Sequence, residues 1–384
     1  MKVLFLTKYN LEKFGIAEPL IALSAALSAC GADVLIAGSH ETAKAGRLRG
    51  GRPCLHAPLP KPGLMRGAAV RNLVGLCRQH EIEIIHCHGL YRPGYAARLI
   101  KRRSGIPYVV TSWGDIVPSS SRQQRRSVRR RCRRILADAD AVTHPTAVIA
   151  EYAGRLCDVS AKSSIIPNGI DLSWWRSGAV PLAGRYILAI GKLTEQKGFG
   201  VLIDAMGRLA GRQTDISLVI AGSGQAASAL RAQAGDLGLE VREGLAGLGD
   251  AQGGAVFFAG FVGDEMKLGL FRGARLVAFS SQYGEAFPGV LLEAMVCGKA
   301  IVASDIPATR AIITPGENAL LVAPADADAW AAAIGNLLGN NELRSSIERN
   351  NLQRAEQYDW PVIAGKFTEI YRRVLTRRRR QAAT

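Results

Sequence analysis

Two parallel α/β sheets, one in each half of the chain, are the fold this sequence predicts. Three observations carry that expectation. Short apolar runs alternate with helical patterns through both halves of the 384 residues, the order that builds parallel sheets. No repeat of solenoid length recurs; what recurs is one whole αβ layer per half. A turn-rich stretch, Pro167-Asn-Gly-Ile-Asp171 through Pro181-Leu-Ala-Gly184, separates the halves, and the length suits two domains.

The elements follow in order. In the first half the apolar runs Val3–Thr7, Val34–Ala37, Ile82–Cys87, Tyr108–Thr111 and Ala141–His144 predict strands. Helices are expected at Pro19–Cys30, Ala69–Gln79, Pro93–Arg103 and the arginine-rich Gln123–Ala137. The second half offers strands at Tyr186–Ile190, Leu218–Ala221, Val256–Ala259, Leu276–Ser280 and Ala300–Ala303. Its helices are expected near Gly200–Leu209, Ala226–Ala234, Asp264–Phe271, Pro288–Val296 and Ala327–Leu338. A last helix spans 358–375, and the basic tail 376–384 is expected to be disordered. The domains are thus drawn at 1–175 and 176–357.

Composition narrows the class. Hydrophobic residues make up 48% and charged residues 21%, as in a globular enzyme with substantial cores. No apolar run approaches the length of a membrane span, and the N-terminal strand is too short to be a signal peptide. Seven scattered cysteines with no Cys-x-x-Cys point to free thiols in a reducing cytoplasm and away from structural zinc. The net charge of +17 is uneven: residues 1–175 hold 26 Lys and Arg against 12 Asp and Glu. Arg122, Arg125, Arg126, Arg129, Arg130, Arg131, Arg133 and Arg134 follow one another with no acid between them, and Arg377 to Arg380 end the chain's basic tail. A solvated helix face is the ordinary explanation of a charge run; attraction to phosphate on anionic lipid, a lipid-linked acceptor or nucleic acid explains this one better.

The chemistry concentrates in Ser280-Ser-Gln-Tyr-Gly-Glu285-Ala-Phe-Pro-Gly-Val-Leu-Leu-Glu293-Ala-Met-Val-Cys-Gly298. Pro288 suits a first helical turn, where its missing N–H has no partner to lose, and Gly298 suits a stop. Glu285 then falls on the loop before the helix and Glu293 within it, with first-turn amides between them that can meet phosphate oxygens. A polyol hydroxyl on each carboxylate with a phosphate between them describes a nucleotide-sugar. On these residues alone, an amphipathic helix with two solvated glutamates is the alternative.

The segment resembles the Glu-x7-Glu signature of retaining glycosyltransferases of the family 4 type. These have the GT-B fold, two Rossmann-like parallel-sheet domains facing a central cleft. Three further segments resemble the family in order: Pro167-Asn-Gly-Ile-Asp171; Ile187-Leu-Ala-Ile-Gly191-Lys192-Leu-Thr-Glu-Gln-Lys197-Gly198-Phe; and Thr314-Pro-Gly-Glu-Asn-Ala-Leu-Leu-Val322. The resemblance is closer over 165–325 than over 1–160, and in the family the last helix crosses back to the first domain.

The resemblance implies a role for each matching residue. Glu293 would bind ribose hydroxyls, Glu285 would orient the donor sugar, and Phe287, Pro288, Gly289 and Val290 would offer backbone to the diphosphate. Lys197, expected at a helix start, and Lys192 beside Gly191 would neutralise the leaving charge without metal. Gly222 and Gly224 would line the nucleotide pocket, and Gly15 would approach its phosphate. Ile84-Ile-His86-Cys-His88-Gly89 resembles the strand end facing the cleft, which makes His88 an acceptor or donor contact. Trp113 and Asp115 lie in the next loop on the acceptor side. His86-x-His88 lacks the third ligand of a zinc site, so no metal and no cofactor are expected. The front-face transfer proposed for the family lets the leaving phosphate take the acceptor proton, so Glu285 would position rather than attack.

Four positions depart from the family pattern. Trp113 stands where relatives carry histidine, Gly15 where a glycine pair is common, Lys192 where arginine is common, and Ala311 where glutamate is common. Two Asp-x-Asp matches, Asp138-Ala-Asp140 and Asp326-Ala-Asp328, sit where aspartate is structural, before a strand and at a helix cap.

The expected function is transfer of a UDP- or GDP-linked hexose to a glycan or lipid-linked acceptor, in assembly of a bacterial surface polysaccharide or glycolipid. The place expected for it is the cytoplasm, peripheral on the inner face of the membrane through Arg122–Arg134 and Arg377–Arg380. Two other classes remain open on the residues. One is a nucleotide-dependent regulatory protein with a degenerate site, although the arginine run lacks the aromatics that stack nucleic-acid bases. The other is an NAD(P)-dependent oxidoreductase using the partial dinucleotide fingerprint Gly222-Ser-Gly224-Gln-Ala-Ala227, with Glu240 at ribose distance in sequence.

Overall fold

The computed structural model describes residues 1–8, 17–38, 54–60, 66–117, 125–178, 180–210, 215–250 and 253–383. The chain divides into two units, Met1–Ile170 with the stretch from Tyr358 onward, and Asp171–Gln357.

Strands of the first unit are β1 (Lys2–Thr7), β2 (Asp33–Gly38), β3 (Cys54–His56), β4 (Ile84–His88), β5 (Tyr108–Thr111), β6 (Ala141–His144) and β7 (Ser163–Ile165). They form one parallel sheet in the order β3-β2-β1-β4-β5-β6-β7. The sheet is buried because helices cover it, which is why its strands read as nearly unbroken apolar runs. Leu20, Leu23 and Leu27 of helix Ala17–Ala29 pack with Ile363, Phe367, Tyr371 and Val374 of helix Trp360–Ala383 into one core. That last helix continues through Arg377–Arg380, where the sequence suggested disorder, because it is seated on the sheet through its apolar side well before the arginines begin.

The second unit contributes β8 (Tyr186–Ile190), β9 (Ser217–Ala221), β10 (Glu240–Glu243), β11 (Ala255–Gly260), β12 (Leu276–Phe279), β13 (Ile301–Ser304) and β14 (Leu320–Val322). Its parallel sheet runs β10-β11-β9-β8-β12-β13-β14. The core gathers Leu202, Ile203 and Met206 of helix Phe199–Ala210 with Trp330 and Ile334 of helix Ala327–Gly339 against the strands. Two parallel sheets of seven strands with flanking helices bear out the expected fold class.

In each sheet the strand order switches direction at the first strand, between β1 and β4 and between β8 and β12. Such a reversal opens a crevice at the carboxyl ends of the flanking strands, where ligands of parallel sheets bind. The loop after β8 begins at Gly191 and Lys192, that after β12 leads to Glu285, and β4 ends at His88.

Sequence inspection passes over β3 and β7, which are three-residue edge strands, and helices Ala147–Gly154, Leu172–Arg176 and Asn341–Ala355. In the turn-rich stretch, the Ile170 N–H donates to the Tyr358 carbonyl at 2.8 Å, and Asp171 caps its short helix by accepting from the Trp174 N–H at 3.0 Å. The aspartates of the two Asp-x-Asp matches hold structure. Asp138 pairs with Arg98 and Asp140 with Lys101, while Asp326 accepts from the Ala329 amide at 2.9 Å to cap its helix.

Candidate active site

At the crevice of the second unit, Lys197 and Glu285 meet. The Lys197 ammonium donates to Glu285 Oε1 at 2.5 Å, and the Ser281 hydroxyl donates to the same oxygen at 2.8 Å. Their side chains retain 24% and 12% of full exposure, so the pair is shielded yet reachable. Lys197 is not at a helix start as the sequence suggested. It ends a 3₁₀ turn, Glu195–Lys197, and helix Phe199–Ala210 begins two residues later. The intervening Gly198 explains the Lys-Gly pair. It has φ +63°, and a Cβ there would lie 2.3 Å from the Ser280 carbonyl oxygen. That close approach docks the Lys197 loop on the end of β12, where the Ser280 hydroxyl donates to the Lys197 carbonyl at 2.8 Å. The ammonium thereby stands 5.7 Å from the centre of the Phe279 ring, a second attraction for the cation.

Lys192 is exposed on the neighbouring loop. That loop is pinned to the next one: Leu193 N–H donates to the Ser223 carbonyl and Gly191 N–H to that of Ala221, both at 3.0 Å. A Cβ on Gly222 (φ +143°) would fall 1.8 Å from Gly191 O, and one on Gly224 2.2 Å from Leu193 O. Both glycines therefore let two loops lie backbone to backbone. The Ala226 N–H is also spent, donating to the Leu193 carbonyl at 3.0 Å. A dinucleotide fingerprint needs its turn amides for pyrophosphate; here the turn serves the Lys192 loop. Glu240, the ribose partner of that reading, is instead paired with Arg242 at 2.7 Å.

Phe287, Pro288, Gly289 and Val290 open helix Gly289–Val296, with Pro288 at the cap and no side-chain oxygen on the first-turn amides. The Gly289 N–H donates to the Phe287 carbonyl at 3.1 Å, which turns the chain into the helix. Glu293 lies one turn on, with 17% of its side chain exposed. Its Oε1 accepts from the Lys267 ammonium, and its buried Oε2 has no hydrogen-bond partner among the described residues. Sequence inspection passed over Lys267 and Trp175, since neither falls in a motif. Lys267 reaches Glu293 from helix Asp264–Gly273, and its ammonium sits 5.3 Å from the centre of the buried Trp175 ring.

In the first unit, His88 is 2% exposed, and neither ring nitrogen has a hydrogen-bond partner among the described residues. It is walled by Phe5, with ring centres 4.7 Å apart, by His86 at 4.2 Å and by Trp113 at 6.5 Å. Burial pulls its pKa down to about 3, so the ring is neutral. A cavity of about 20 Å³ beside it, lined also by Leu20, Thr111, Asn168 and Phe367, has room for roughly one water. His86 turns away into the core. Its Nδ1 meets Tyr371 Oη at 2.6 Å and its Nε2 meets Thr111 Oγ1 at 2.6 Å, tying the last helix to the sheet. Asp115 follows Trp113 in the 3₁₀ turn Gly114–Ile116. Gly15 and Arg122 lie outside the described residues.

Arg125 to Arg134 open helix Arg126–Asp138, whose apolar side buries Cys132, Ile135 and Leu136. Arg125, Arg126, Arg129, Arg130, Arg133 and Arg134 are exposed. Among the described residues no side chain caps the helix, and no acid occupies its first turn, so these cations add to the positive end of the helix dipole instead of opposing it. Among the described residues, no helix is long and apolar enough to cross a membrane.

Known proteins match this chain in series. Residues 14–169 match the model of a glycosyl transferase 4-like domain, and residues 176–354 that of glycosyl transferases group 1. The phosphatidyl-myo-inositol mannosyltransferase of Mycolicibacterium smegmatis is 34% identical over 214 residues, which cover 54% of this chain and 51% of that protein. The chain spans about half the length of that enzyme and of its mycobacterial counterparts. The D-inositol 3-phosphate glycosyltransferase of Corynebacterium urealyticum is 26% identical over 329 residues, covering 79% of this chain and 75% of that protein. In fold, HepE of Anabaena, crystallised with UDP, superposes with a TM-score of 0.78 at 20% identity, over 96% of this chain and 99% of that one. Matched along both halves by these two models, and in fold by such structures, the chain belongs to the glycosyltransferases with the GT-B fold, of the family 4 type.

Proposed function

We propose that this protein transfers a hexose from a UDP- or GDP-linked donor to a glycan or lipid-linked acceptor, with retention and without metal. The observation that carries the proposal is the shielded Lys197–Glu285 pair beside an uncapped helix N-terminus, with Glu293 one turn further on. A cation, a helix N-terminus and two carboxylates at one crevice are the complement of a sugar diphosphate nucleoside. In this scheme Glu293 takes ribose hydroxyls, the opening of helix Gly289–Val296 takes the diphosphate, and Glu285 takes sugar hydroxyls through the oxygen face that Lys197 leaves open. The bond from the anomeric carbon to the donor phosphate oxygen breaks, and the acceptor oxygen bonds to that carbon on the same face. The acceptor proton passes to the leaving phosphate. Lys197 and Lys192 offset the charge that grows there, so the protein acts by position and field. The first unit receives the acceptor near His88, Trp113 and Asp115; the neutral His88 ring can accept or donate one hydrogen bond.

The arginine helix and Arg377–Arg380 point to an anionic membrane surface as the place of work, on the cytoplasmic face, in surface polysaccharide or glycolipid assembly. The mycobacterial relative, named for a phosphatidyl-inositol acceptor, supports an acceptor of lipid type. Thermal shift and donor hydrolysis across UDP-, GDP- and ADP-sugars, with EDTA present, test the proposal. One nucleotide should stabilise the protein and be hydrolysed slowly, and both effects should vanish in Lys197→Ala and Glu293→Ala. Absence of stabilisation by every donor would overturn it.

A further inference from the structure

Glu293 has an oddity that its place in the motif does not explain. One carboxylate oxygen is engaged by Lys267, while the other is buried and bare among the described residues. Leaving a charged acceptor buried without a donor is costly, and folded proteins keep few such groups. Lys267 could swing to share both oxygens, but its surroundings oppose that. Its ammonium rests on the face of Trp175, and that ring is 6% exposed and wedged against Phe271, with ring centres 5.4 Å apart. The Trp175 carbonyl is held in turn by the Arg272 guanidinium at 3.1 Å.

The geometry points to Lys267 as a positioning residue that turns Glu293 into a clasp for a vicinal diol, and so makes the site select a ribonucleotide over its 2′-deoxy counterpart. This rests on the donor-binding proposal above and sharpens it. An ammonium has three N–H donors. Here one is spent on Glu293 Oε1 and one side faces the indole, which leaves one donor next to one bare acceptor. Two adjacent hydroxyls match that pair: one donates to Oε2, and its neighbour accepts from Nζ. A phosphate does not match it, because its oxygens would face Oε2, an anion with no proton to give. A single hydroxyl satisfies only half of it. Without Lys267 the carboxylate is free to rotate and can take one hydroxyl in several ways, so the requirement for the pair relaxes.

Isothermal titration of the full chain with UDP, GDP and ADP, each beside its 2′-deoxy form, tests this. Wild type should bind a ribonucleotide about ten- to a hundredfold tighter than the deoxy form, the range for one hydrogen bond to a charged group. Lys267→Met should bring that ratio close to one, and Lys267→Arg, which keeps charge and donors, should restore much of it. A role in stability alone would weaken both nucleotides equally and leave the ratio where it was. An unchanged ratio in folded Lys267→Met, or no ribose preference in wild type, overturns the inference and leaves donor binding standing. If Lys267→Met does not melt cooperatively, Lys267→Gln is read by the same ratio. Failure of wild type to bind any of the three nucleotides refutes the donor-binding proposal instead.

Discussion

Acidification should destabilise the first unit through His88, by an amount the structure fixes. The ring is held neutral by burial with a pKa of about 3, against 6.5 for the free side chain. In the unfolded chain it takes up a proton below pH 6.5; in the folded chain it does not until about pH 3. Its contribution is therefore fully present above 6.5 and drains away as the pH falls. Each unit of divergence is worth about 1.36 kcal/mol, so going from pH 7.5 to 4.5, about two units below the unfolded pKa, removes about 2.7 kcal/mol. His144, which burial lowers to about 4, loses stability in the same window, as do carboxylates in their own, but these are shared with a variant that lacks only His88. His88→Leu is such a variant, close in volume and unable to titrate. Urea melts of both proteins at a series of pH values should diverge, wild type losing about 2.7 kcal/mol more than the variant between pH 7.5 and 4.5. Parallel curves would mean that His88 is protonated, or reached by water, in the folded state, and the reasoning from burial would be wrong.

Gly222→Ala should cost about 3 kcal/mol by forcing the Gly191 carbonyl away, and should weaken donor binding; Gly235→Ala, with no atom within 4 Å of its new Cβ, should not destabilise. Melting temperature and nucleotide thermal shift read both. Arg126→Glu should stabilise its helix by about 0.3–1 kcal/mol, since an acid there opposes the dipole, while reducing flotation of the protein on vesicles of anionic phospholipid. If vesicle binding is unaffected, the arginine helix is not the docking face. Tyr371→Phe should leave His86 Nδ1 without its partner at zero exposure, costing about 1–3 kcal/mol and raising amide exchange along helix Trp360–Ala383. Exchange equal to wild type would show that apolar packing alone seats the helix.

Fold class was legible because parallel sheets buried on both sides must be written as apolar runs, and ten strands are visible that way. What escaped was what burial does not mark. β3 and β7 are three-residue edge strands with one neighbour each, and β7 reads Ser-Ser-Ile. Helix Asn341–Ala355 is long but polar, burying only Arg344, Ile347, Asn351 and Ala355. At the site, Glu285 and Lys197 stood out in local motifs, and the fold brings them together across 88 positions of sequence. Lys267 and Trp175 carry no local signal: they matter because the fold brings Lys267 to both Glu293 and the Trp175 ring. The Gly222 and Gly224 pair was legible as a special turn, but whether its amides face a ligand or a neighbouring loop depends on tertiary contact.

The first unit is not a continuous piece of chain. Its core includes Trp360, Ile363, Phe367, Tyr371 and Val374, which the ribosome makes nearly two hundred residues after β7. The second unit is continuous, from Asp171 to Gln357. During synthesis the second sheet can therefore close before the first, reversing the usual order in which the N-terminal domain folds first. Until the last helix arrives, Leu20, Leu23 and Leu27 lack part of their cover. A chain stopped short of Trp360 would display that apolar face for good.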